Sequence, residues 1–297
     1  MSPGASAPLA ESAPAKVNLT LRVLGRRSDG YHEIESLVAF AEIGDRLSFS
    51  PGGELKLSVD GPTAAKAGDA GENLVLKAAR EMAARRSGLK LGAFNLNKRL
   101  PVAAGLGGGS ADAGAALRLI ARANGLTRDD PQLYAAARAT GADVPVCLES
   151  RPRIMRGVGD MLSEPLALPA MPALLVNPGV AVATKEVFAG WASAPTASSP
   201  AADLGVLAKV STREQLLQIL LAQSNDLERS AIVLAPVITE VLLELRAVAA
   251  CDLARMSGSG ATCFGLFATA SAAADTGKTL SRRHRQWWVC ATTLGGA

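Results

Sequence analysis

The chain has 297 residues, 48% of them hydrophobic and 20% charged, and this composition is typical of a globular protein with enough apolar material for two ordinary domains. A net charge of +4 suits an anionic ligand, but it is too small to indicate a nucleic-acid-binding surface. The apolar stretches are too short to span a membrane. The four cysteines lack the spacing of metal ligands, so we expect free thiols in a cytoplasmic protein.

The N-terminal region begins with small residues, is rich in proline and carries almost no charge. We expect residues 1–12 to be a disordered lead-in without the features of a signal peptide. Apolar and polar residues then alternate from Lys16 to Val23, which predicts a strand with one apolar face. Lys16 and Asn18 point to the same side of that strand. Further strands are expected at residues 34–40, 46–50, 54–60 and 91–96.

A glycine-dense segment, Pro101–Ala113, separates the last of these strands from an Ala/Leu helix pattern that ends at Asn124. Glycine accepts positive φ, so the backbone can direct several N–H groups at one anion. The helix adds its unpaired N–H groups and the positive end of its dipole. The segment fits neither G-x-x-x-x-G-K-[ST] nor G-x-G-x-x-G. We interpret it as a phosphate-binding loop, since a flexible linker is less compatible with a strand before it and a periodic helix after it.

A helix is predicted over residues 73–86, before the glycine-dense segment.

A candidate proton acceptor, Asp143, follows a second predicted helix. That helix begins at Pro131 with Asp130 as its N-cap and ends at Gly141. Pro145 favours an extended Val144, so Asp143 would be held in a short link. Its carboxylate is either a general base or an ordinary turn-forming group, and the local sequence leaves both interpretations open.

The second half of the chain is predicted to begin after a proline- and charge-rich boundary at residues 151–168. The basic run Arg282–Arg285 is interpreted as a solvated helix end rather than as an RNA contact. A second glycine cluster, Met256–Ala261, is either a hairpin turn or a second anion-binding loop. We expect a loop at 192–203, helices at 184–191, 213–222 and 237–249, and strands at 253–257, 262–267 and 287–292.

Three segments in this order resemble the GHMP kinase superfamily: Pro14–Leu21, Pro101–Ser110 and Ser257–Thr262. The stretches Arg27–Glu33 and Gly141–Pro145 resemble the branch of that superfamily whose substrate is a cytidine-diphosphate-linked methylerythritol. The resemblance extends over nearly the whole chain. It implies an α+β fold of two domains, with mixed and antiparallel sheets, helices packed on them and a cleft between the domains. We place these domains at residues 13–160 and 161–297.

The same resemblance implies ATP-dependent phosphorylation of the substrate's 2-hydroxyl. Lys16 and Asp143 resemble the catalytic pair, the lysine offsetting charge and the aspartate accepting the hydroxyl proton. The residues that correspond to substrate-binding positions are Asn18, Tyr31, His32, Thr184 and Phe188, the aromatic Tyr31–His32 pair serving the cytosine. The residues that correspond to the second glycine loop are Ser257, Gly258, Ser259 and Gly260.

For ATP, the resemblance implies contacts with the glycine loop, and with Asn73 and Lys98 near the adenine. The loop residues are Pro101, Val102, Ala103, Ala104, Gly105, Leu106, Gly107, Gly108, Gly109, Ser110 and Ala111. The Ser110 hydroxyl is a candidate ligand of Mg²⁺ or of a phosphate. Asp112 departs from the asparagine or serine that such loops often carry, and its carboxylate would repel ATP unless it faces away or shares the metal.

The sequence is also compatible with two other functions. The chain could phosphorylate another small alcohol, such as homoserine or a mevalonate derivative, although such substrates do not need Tyr31 and His32. It could also be a non-catalytic sensor of nucleotides, although binding alone needs no proton acceptor such as Asp143. We expect a monomer or a weak homodimer.

Overall fold

In the computed structural model, the described part of the chain comprises residues 8–66, 71, 73–193 and 204–296. Its strands are β1 (Leu9–Asn18), β2 (Arg22–Arg26), β3 (His32–Pro51), β4 (Lys56–Asp60), β5 (Gly92–Asn97), β6 (Arg153–Gly157), β7 (Met161–Leu162), β8 (Met171–Asn177), β9 (Cys251–Met256), β10 (Cys263–Phe267) and β11 (Trp288–Leu294). Its helices are α1 (Leu74–Arg85), α2 (Gly108–Ala123), α3 (Pro131–Thr140), α4 (Val144–Glu149), α5 (Thr184–Ser193), α6 (Arg213–Leu221), α7 (Glu228–Leu234), α8 (Val237–Arg246) and α9 (Ala270–Arg283). The predicted α+β class is confirmed.

The chain folds into two compact units, each built from three separate stretches of the sequence. Unit 1 consists of residues 1–15, 44–102 and 108–150, and unit 2 consists of residues 16–43, 103–107 and 151–297. Strands β1 and β3 each begin in one unit and end in the other, and the glycine loop is divided between them. The linear division at residues 160 and 161 stays a prediction.

Unit 1 contains a small mixed sheet and the four helices α1 to α4. The second half of β3 pairs antiparallel with β5, which pairs parallel with β4. Helix α2 packs against α1, α3 and α4. Its glycine at position 114 permits the close approach to α4, because a Cβ there would lie 2.7 Å from the Cys147 carbonyl oxygen. Helix α2 is therefore fixed at its middle by close packing on α4.

Unit 2 is built on an antiparallel sheet in the order β11, β8, β10, β9. Helices α8 and α9 pack on this sheet, α8 on β9 and β10, and α9 on β8, β10 and β11. The first half of β3 pairs with β2 and β6. The core includes Leu174, Val176, Ile238, Leu242 and Phe267, all nearly or fully buried.

Three expectations about local structure are wrong. The disordered lead-in fails at residues 9–12, because β1 begins at Leu9; residues 1–7 lie outside the described part of the chain. The strand predicted from Lys16 to Val23 is interrupted at residues 19–21, where the backbone bonds to other segments, including the Ser224 carbonyl. Val144 is helical instead of extended, because a proline in the first turn of a helix needs no N–H partner and therefore starts α4 without loss.

Helix α3 begins and ends where the sequence predicts, at Pro131 and before Gly141. Asp130 accepts a hydrogen bond from Gln132 N as the predicted N-cap of α3, with Pro131 in its first turn. Helix α2 begins at Gly108, inside the glycine-dense segment from Pro101 to Ala113. Most of the expected loop at 192–203 lies outside the described residues, namely 194–203. Among the described residues, no helix is both long and apolar enough to cross a membrane.

Candidate active site

Lys16 and Asn18 lie together at the end of β1, as the alternation predicted. The Lys16 ammonium donates a hydrogen bond to the side-chain oxygen Oδ1 of Asn18 over 3.1 Å. Both side chains are buried, with 4% and 3% exposure. The Asn18 amide in turn donates to the Ser36 hydroxyl at 2.7 Å. A buried lysine costs desolvation energy, so Lys16 is not the solvated strand residue that a lone lysine usually is.

The first part of the glycine loop, residues 103–107, is held by backbone contacts within unit 2. The Lys16 N–H donates to the Leu106 carbonyl at 2.9 Å, and the Thr262 N–H donates to the Ala104 carbonyl at 3.1 Å. Ala103, Gly105 and Gly107 have φ values of 51°, 72° and 61°. The predicted positive φ is thus confirmed at two glycines, and an alanine adopts it as well.

The second glycine cluster, residues 256–261, connects β9 to the antiparallel β10 as a hairpin would. Whether it also binds an anion stays a prediction. The Ser257 hydroxyl donates to the Gly105 carbonyl at 2.9 Å and accepts the Asn18 N–H at 3.1 Å. A Cβ on Gly105 would lie 2.4 Å from the Ser257 carbonyl oxygen. These contacts bring the first loop segment, β1 and the second glycine cluster together in one place.

An aromatic group lies at the start of β3 in the same unit. The His32 ring stacks on Phe188 with centroids 4.8 Å apart and meets the edge of Trp191 at 5.8 Å. Burial, followed by the nearby Arg26 guanidinium, lowers the pKa of His32. Its Nε2 is buried, and no described residue forms a hydrogen bond with it. A neutral imidazole carries both a donor and an acceptor, which suits the edge of a nucleobase.

Tyr31 and Thr184 lie at the surface of unit 2. The Tyr31 ring is 64% exposed, while its N–H is fixed by the Asp29 carboxylate at 3.1 Å. The Thr184 hydroxyl lies 2.8 Å from the hydroxyl of Ser259. Thr184 at the start of α5 is therefore linked to the second glycine cluster, and Phe188 of the same helix is linked to His32.

Unit 1 contains the rest of the expected nucleotide-binding residues. Pro101 and Val102 follow β5, and Gly108, Gly109, Ser110 and Ala111 form the first turn of α2. The side-chain oxygen Oδ1 of Asn73 caps α1 by accepting a hydrogen bond from the Val75 N–H at 3.0 Å. The Lys98 ammonium is buried between the carboxylates of Asp45 and Asp112. The sequence predicted a position near the adenine for Lys98, but it did not predict these two ion pairs.

Asp112 faces away from solvent, with 1% exposure. Its Oδ2 accepts a hydrogen bond from Lys98 at 2.8 Å, and no described residue bonds to its Oδ1. Burial raises the pKa of Asp112 to about 7, against the opposing effect of the Lys98 charge. Of the two expectations for this carboxylate, the geometry favours the one in which it faces away.

Asp143 immediately precedes α4 and is half-buried. Unlike Asn73 and Asp130, it makes no side-chain bond to the N–H groups of the helix that it precedes. Asp143 is therefore not the side-chain cap of α4, and the choice between a general base and a turn-forming group stays a prediction.

Four residues of these clusters were missed by the sequence reasoning: Asp45, Ser36, Asn225 and Thr262. Asn225 donates from one amide nitrogen to the carbonyls of Met256 and Gly258, each at 2.8 Å, and thereby fixes the second glycine cluster. Asp45 is fully buried and bonds to Lys98 and to the backbone after it. The residues next to a buried polar side chain in the sequence do not indicate its role, because its hydrogen-bond partners come from distant parts of the chain.

Comparisons with known proteins agree with this arrangement. The family described as GHMP kinases N terminal domain matches residues 73–151, and the family described as GHMP kinases C terminal matches residues 207–285. A 4-diphosphocytidyl-2-C-methyl-D-erythritol kinase of Methylorubrum extorquens is 52% identical over 287 residues, which cover 96% of this chain and 99% of the relative. A protein of the same name from Methylobacterium radiotolerans is 54% identical over 287 residues, again covering 96% and 99%.

Solved structures give the same result. A crystal structure of a 4-(cytidine 5'-diphospho)-2C-methyl-D-erythritol kinase superposes with a TM-score of 0.77 at 35% identity, covering 97% of this chain and 100% of that one. A homoserine kinase from Cytophaga hutchinsonii reaches a TM-score of 0.72 at 18% identity, covering 99% and 97%, and shares the fold. The chain therefore belongs to the GHMP kinases and, within them, to the family of 4-diphosphocytidyl-2-C-methyl-D-erythritol kinases.

Proposed function

We propose that this chain transfers the γ-phosphoryl group of ATP to the 2-hydroxyl of 4-diphosphocytidyl-2-C-methyl-D-erythritol. The observation that carries this proposal is the identity of 52% to a kinase of that name over 96% of the chain. The buried Lys16–Asn18 pair beside the glycine loop supports it, because charge stabilisation and positioning are what phosphoryl transfer asks of a protein.

In the proposed reaction, the substrate's 2-hydroxyl oxygen forms a bond to the γ-phosphorus. The bond from that phosphorus to the β,γ-bridging oxygen breaks, and ADP leaves with the electron pair. Asp143 accepts the proton released by the hydroxyl. Lys16 stabilises the negative charge that spreads over the transferred group. Asn18 orients the lysine through the 3.1 Å hydrogen bond between their side chains.

The ATP phosphates are proposed to bind the loop residues 101–111. The backbone at Gly105 and Gly107 is left-handed, and the first N–H groups of any helix, here those of α2, have no partner within the helix. Both provide the donors that such an anion needs. Asn73 and Lys98 stay proposed neighbours of the adenine. In this proposal the second glycine loop, Ser257, Gly258, Ser259 and Gly260, contributes further backbone donors.

Mg²⁺ is proposed to arrive with ATP. The described residues contain no group of three His, Cys, Asp or Glu side chains that could hold a metal ion. We propose that phosphate oxygens and waters supply most of the ligands of the ion, with the Ser110 hydroxyl as its protein ligand. When bound, the ion neutralises phosphate charge.

Cytidine recognition is proposed to involve the exposed Tyr31 ring, His32 and Phe188, with Thr184 closing the site. Among the described residues, no group forms a hydrogen bond with the buried His32 Nε2, and this supports the assignment, because a buried polar atom without a partner is costly until a ligand supplies one. We further propose a cytoplasmic monomer or weak homodimer.

A coupled assay of ADP release tests the proposal with three acceptors: the cytidine-linked alcohol, homoserine and mevalonate. We expect turnover with the first alone. Asp143→Asn should lower kcat at least about a hundredfold with little change in KM, because it removes the proton acceptor and keeps the shape. Asp129→Asn, an exposed carboxylate between α2 and α3, is the matched control. Turnover with another acceptor instead, or an unchanged kcat for Asp143→Asn, would overturn the substrate or the mechanism respectively.

A further inference from the structure

A buried cluster of three charged side chains lies under the start of helix α2 in unit 1. We call it the Asp45–Lys98–Asp112 triad. Lys98 follows β5 directly and is 4% exposed, while Asp45 and Asp112 are 0% and 1% exposed. The Lys98 ammonium donates to both carboxylates, reaching Asp112 Oδ2 at 2.8 Å. The triad thus joins β3, the end of β5 and α2.

Asp45 also fixes the backbone that leads into the glycine loop. Its Oδ1 accepts the N–H groups of Arg99 and Leu100, the latter at 2.8 Å, while its Oδ2 accepts from Lys98. The Lys98 N–H donates to the Asp60 carbonyl at 2.7 Å. The three residues before Pro101 therefore have little freedom to move.

Asp112 makes the matching connection on the helix side. It lies in the second turn of α2, and its bond to Lys98 ties that turn to the strand end. The first helical residue rests directly on the triad, since a Cβ on Gly108 would lie 3.5 Å from Lys98 Nζ and 3.7 Å from Asp45 Oδ2. The direction of the first N–H groups of α2 follows from these contacts.

Burying the triad costs desolvation free energy. It buries three ionisable side chains, and Asp112 Oδ1 has no hydrogen-bond partner among the described residues. Apolar residues of similar size usually stabilise a core as well or better than buried ions do. What charged groups add is direction, because each hydrogen bond fixes the relative position of two segments.

We infer that Asp112 and Lys98 are positioning residues for ATP, holding the first turn of α2 at the angle at which its N–H groups meet the phosphates. The inference rests on the proposed role of the glycine loop in nucleotide binding. Neither side chain needs to touch the phosphates for this role. Asp112 is the better residue to test, because removing it leaves Lys98 paired with Asp45 and thus leaves no lone buried charge.

The experiment measures the Kd of a non-hydrolysable ATP analogue and of the cytidine-linked substrate by calorimetry, with melting temperatures recorded in parallel. Asp112→Ala removes the acceptor, and Asp112→Asn keeps an oxygen for Lys98. Arg118→Met is the control for stability, because Arg118 lies later in α2 and holds Glu11 and the Cys147 carbonyl, at 3.2 and 2.9 Å.

We expect Asp112→Ala to weaken binding of the ATP analogue about tenfold while leaving the Kd of the cytidine-linked substrate within about twofold. Asp112→Asn should restore nucleotide affinity to within about twofold of the original. Arg118→Met should lower the melting temperature without changing nucleotide affinity.

Three results would overturn the inference: an unchanged Kd for the analogue in Asp112→Ala, equal weakening of both ligands, or an equal loss of nucleotide affinity in Arg118→Met. Because binding is measured without turnover, a chain that fails to phosphorylate the substrate still tests the inference. Failure of the original chain to bind the analogue at all would overturn both this inference and the proposed use of ATP.

Discussion

The two parts of the glycine loop are held by different physical means. Residues 103–107 in unit 2 are fixed by neutral hydrogen bonds, such as that from the Lys16 N–H to the Leu106 carbonyl at 2.9 Å. The start of α2 in unit 1 rests on the Asp45–Lys98–Asp112 triad. In the first part the backbone itself is the contact surface. In the second part charged side chains determine where the backbone lies.

This difference implies two different kinds of sensitivity. A segment packed backbone against backbone tolerates no added atom, whatever its polarity. The stability of a segment held by buried charges depends on pH, because the energetic cost of burying an ionisable group depends on its ionisation state. Substitutions that add volume and substitutions that change charge can therefore separate the two parts.

The largest effect is expected for Gly105→Ala. The new Cβ would lie 2.4 Å from the Ser257 carbonyl oxygen, so the loop or the second glycine cluster must move. We expect a loss of at least about 3 kcal/mol in the free energy of unfolding, together with loss of nucleotide binding. Chemical denaturation and calorimetry measure the two effects.

Gly88→Ala is the matched control for this substitution. Gly88 has a φ of 76°, close to the 72° of Gly105, but a Cβ there would meet no heavy atom within 4 Å. It should cost only the left-handed strain of alanine, about 1 kcal/mol. Equal losses for the two variants would show that strain, and not the close approach to Ser257, is what Gly105 avoids.

An intermediate effect is expected for Asp112→Asn, and it should depend on pH. The pKa of Asp112 is raised from 3.8 to about 7, chiefly by burial. The folded chain therefore keeps a proton on Asp112 that the unfolded chain has released, and the stability that this proton provides is lost as the pH rises toward and through 7. Asparagine has no such proton to lose.

We expect the stability of Asp112→Asn relative to the original chain to rise by about 2 kcal/mol between about pH 5 and pH 8. Urea denaturation at both pH values measures the difference. A relative stability that is constant with pH, or that falls as the pH rises, would contradict the assignment of a raised pKa to Asp112.

The smallest effect is expected for Ala103→Gly. Ala103 is exposed and has a φ of 51°, a conformation that glycine adopts without strain. The variant should be more stable by about 0.5 kcal/mol. Ala142→Gly, at an exposed alanine without positive φ, should instead be less stable. A loss of stability at both positions would mean that the left-handed alanine carries no measurable strain.

Much of the fold follows from local chemistry in the sequence. Asp130, Pro131 and Gly141 bound α3 as their capping and starting preferences predict. The alternation around Lys16 and Asn18 places both side chains on one face of β1. Such features need only neighbouring residues, so they can be inferred without knowing the tertiary structure.

The rest depends on contacts between distant residues. Nothing near Asp45 in the sequence indicates a partner at Lys98, and Asn225 gives no sign that it binds the carbonyls of the second glycine cluster. The extended conformation expected for Val144 failed for a local reason, since Pro145 fits the first turn of α4 as well as it fits a strand. Glycine patterns indicated the proposed phosphate-binding loop, but not the side chains that support it.

The central claim is that the chain phosphorylates the cytidine-linked alcohol at its 2-hydroxyl. Phosphorus-31 NMR of the reaction mixture tests it most directly, because a phosphomonoester is distinct from the diphosphate that the substrate already contains. We predict one new monoester resonance that grows in equal amount with ADP. Formation of ADP with inorganic phosphate and no new monoester would contradict the claim.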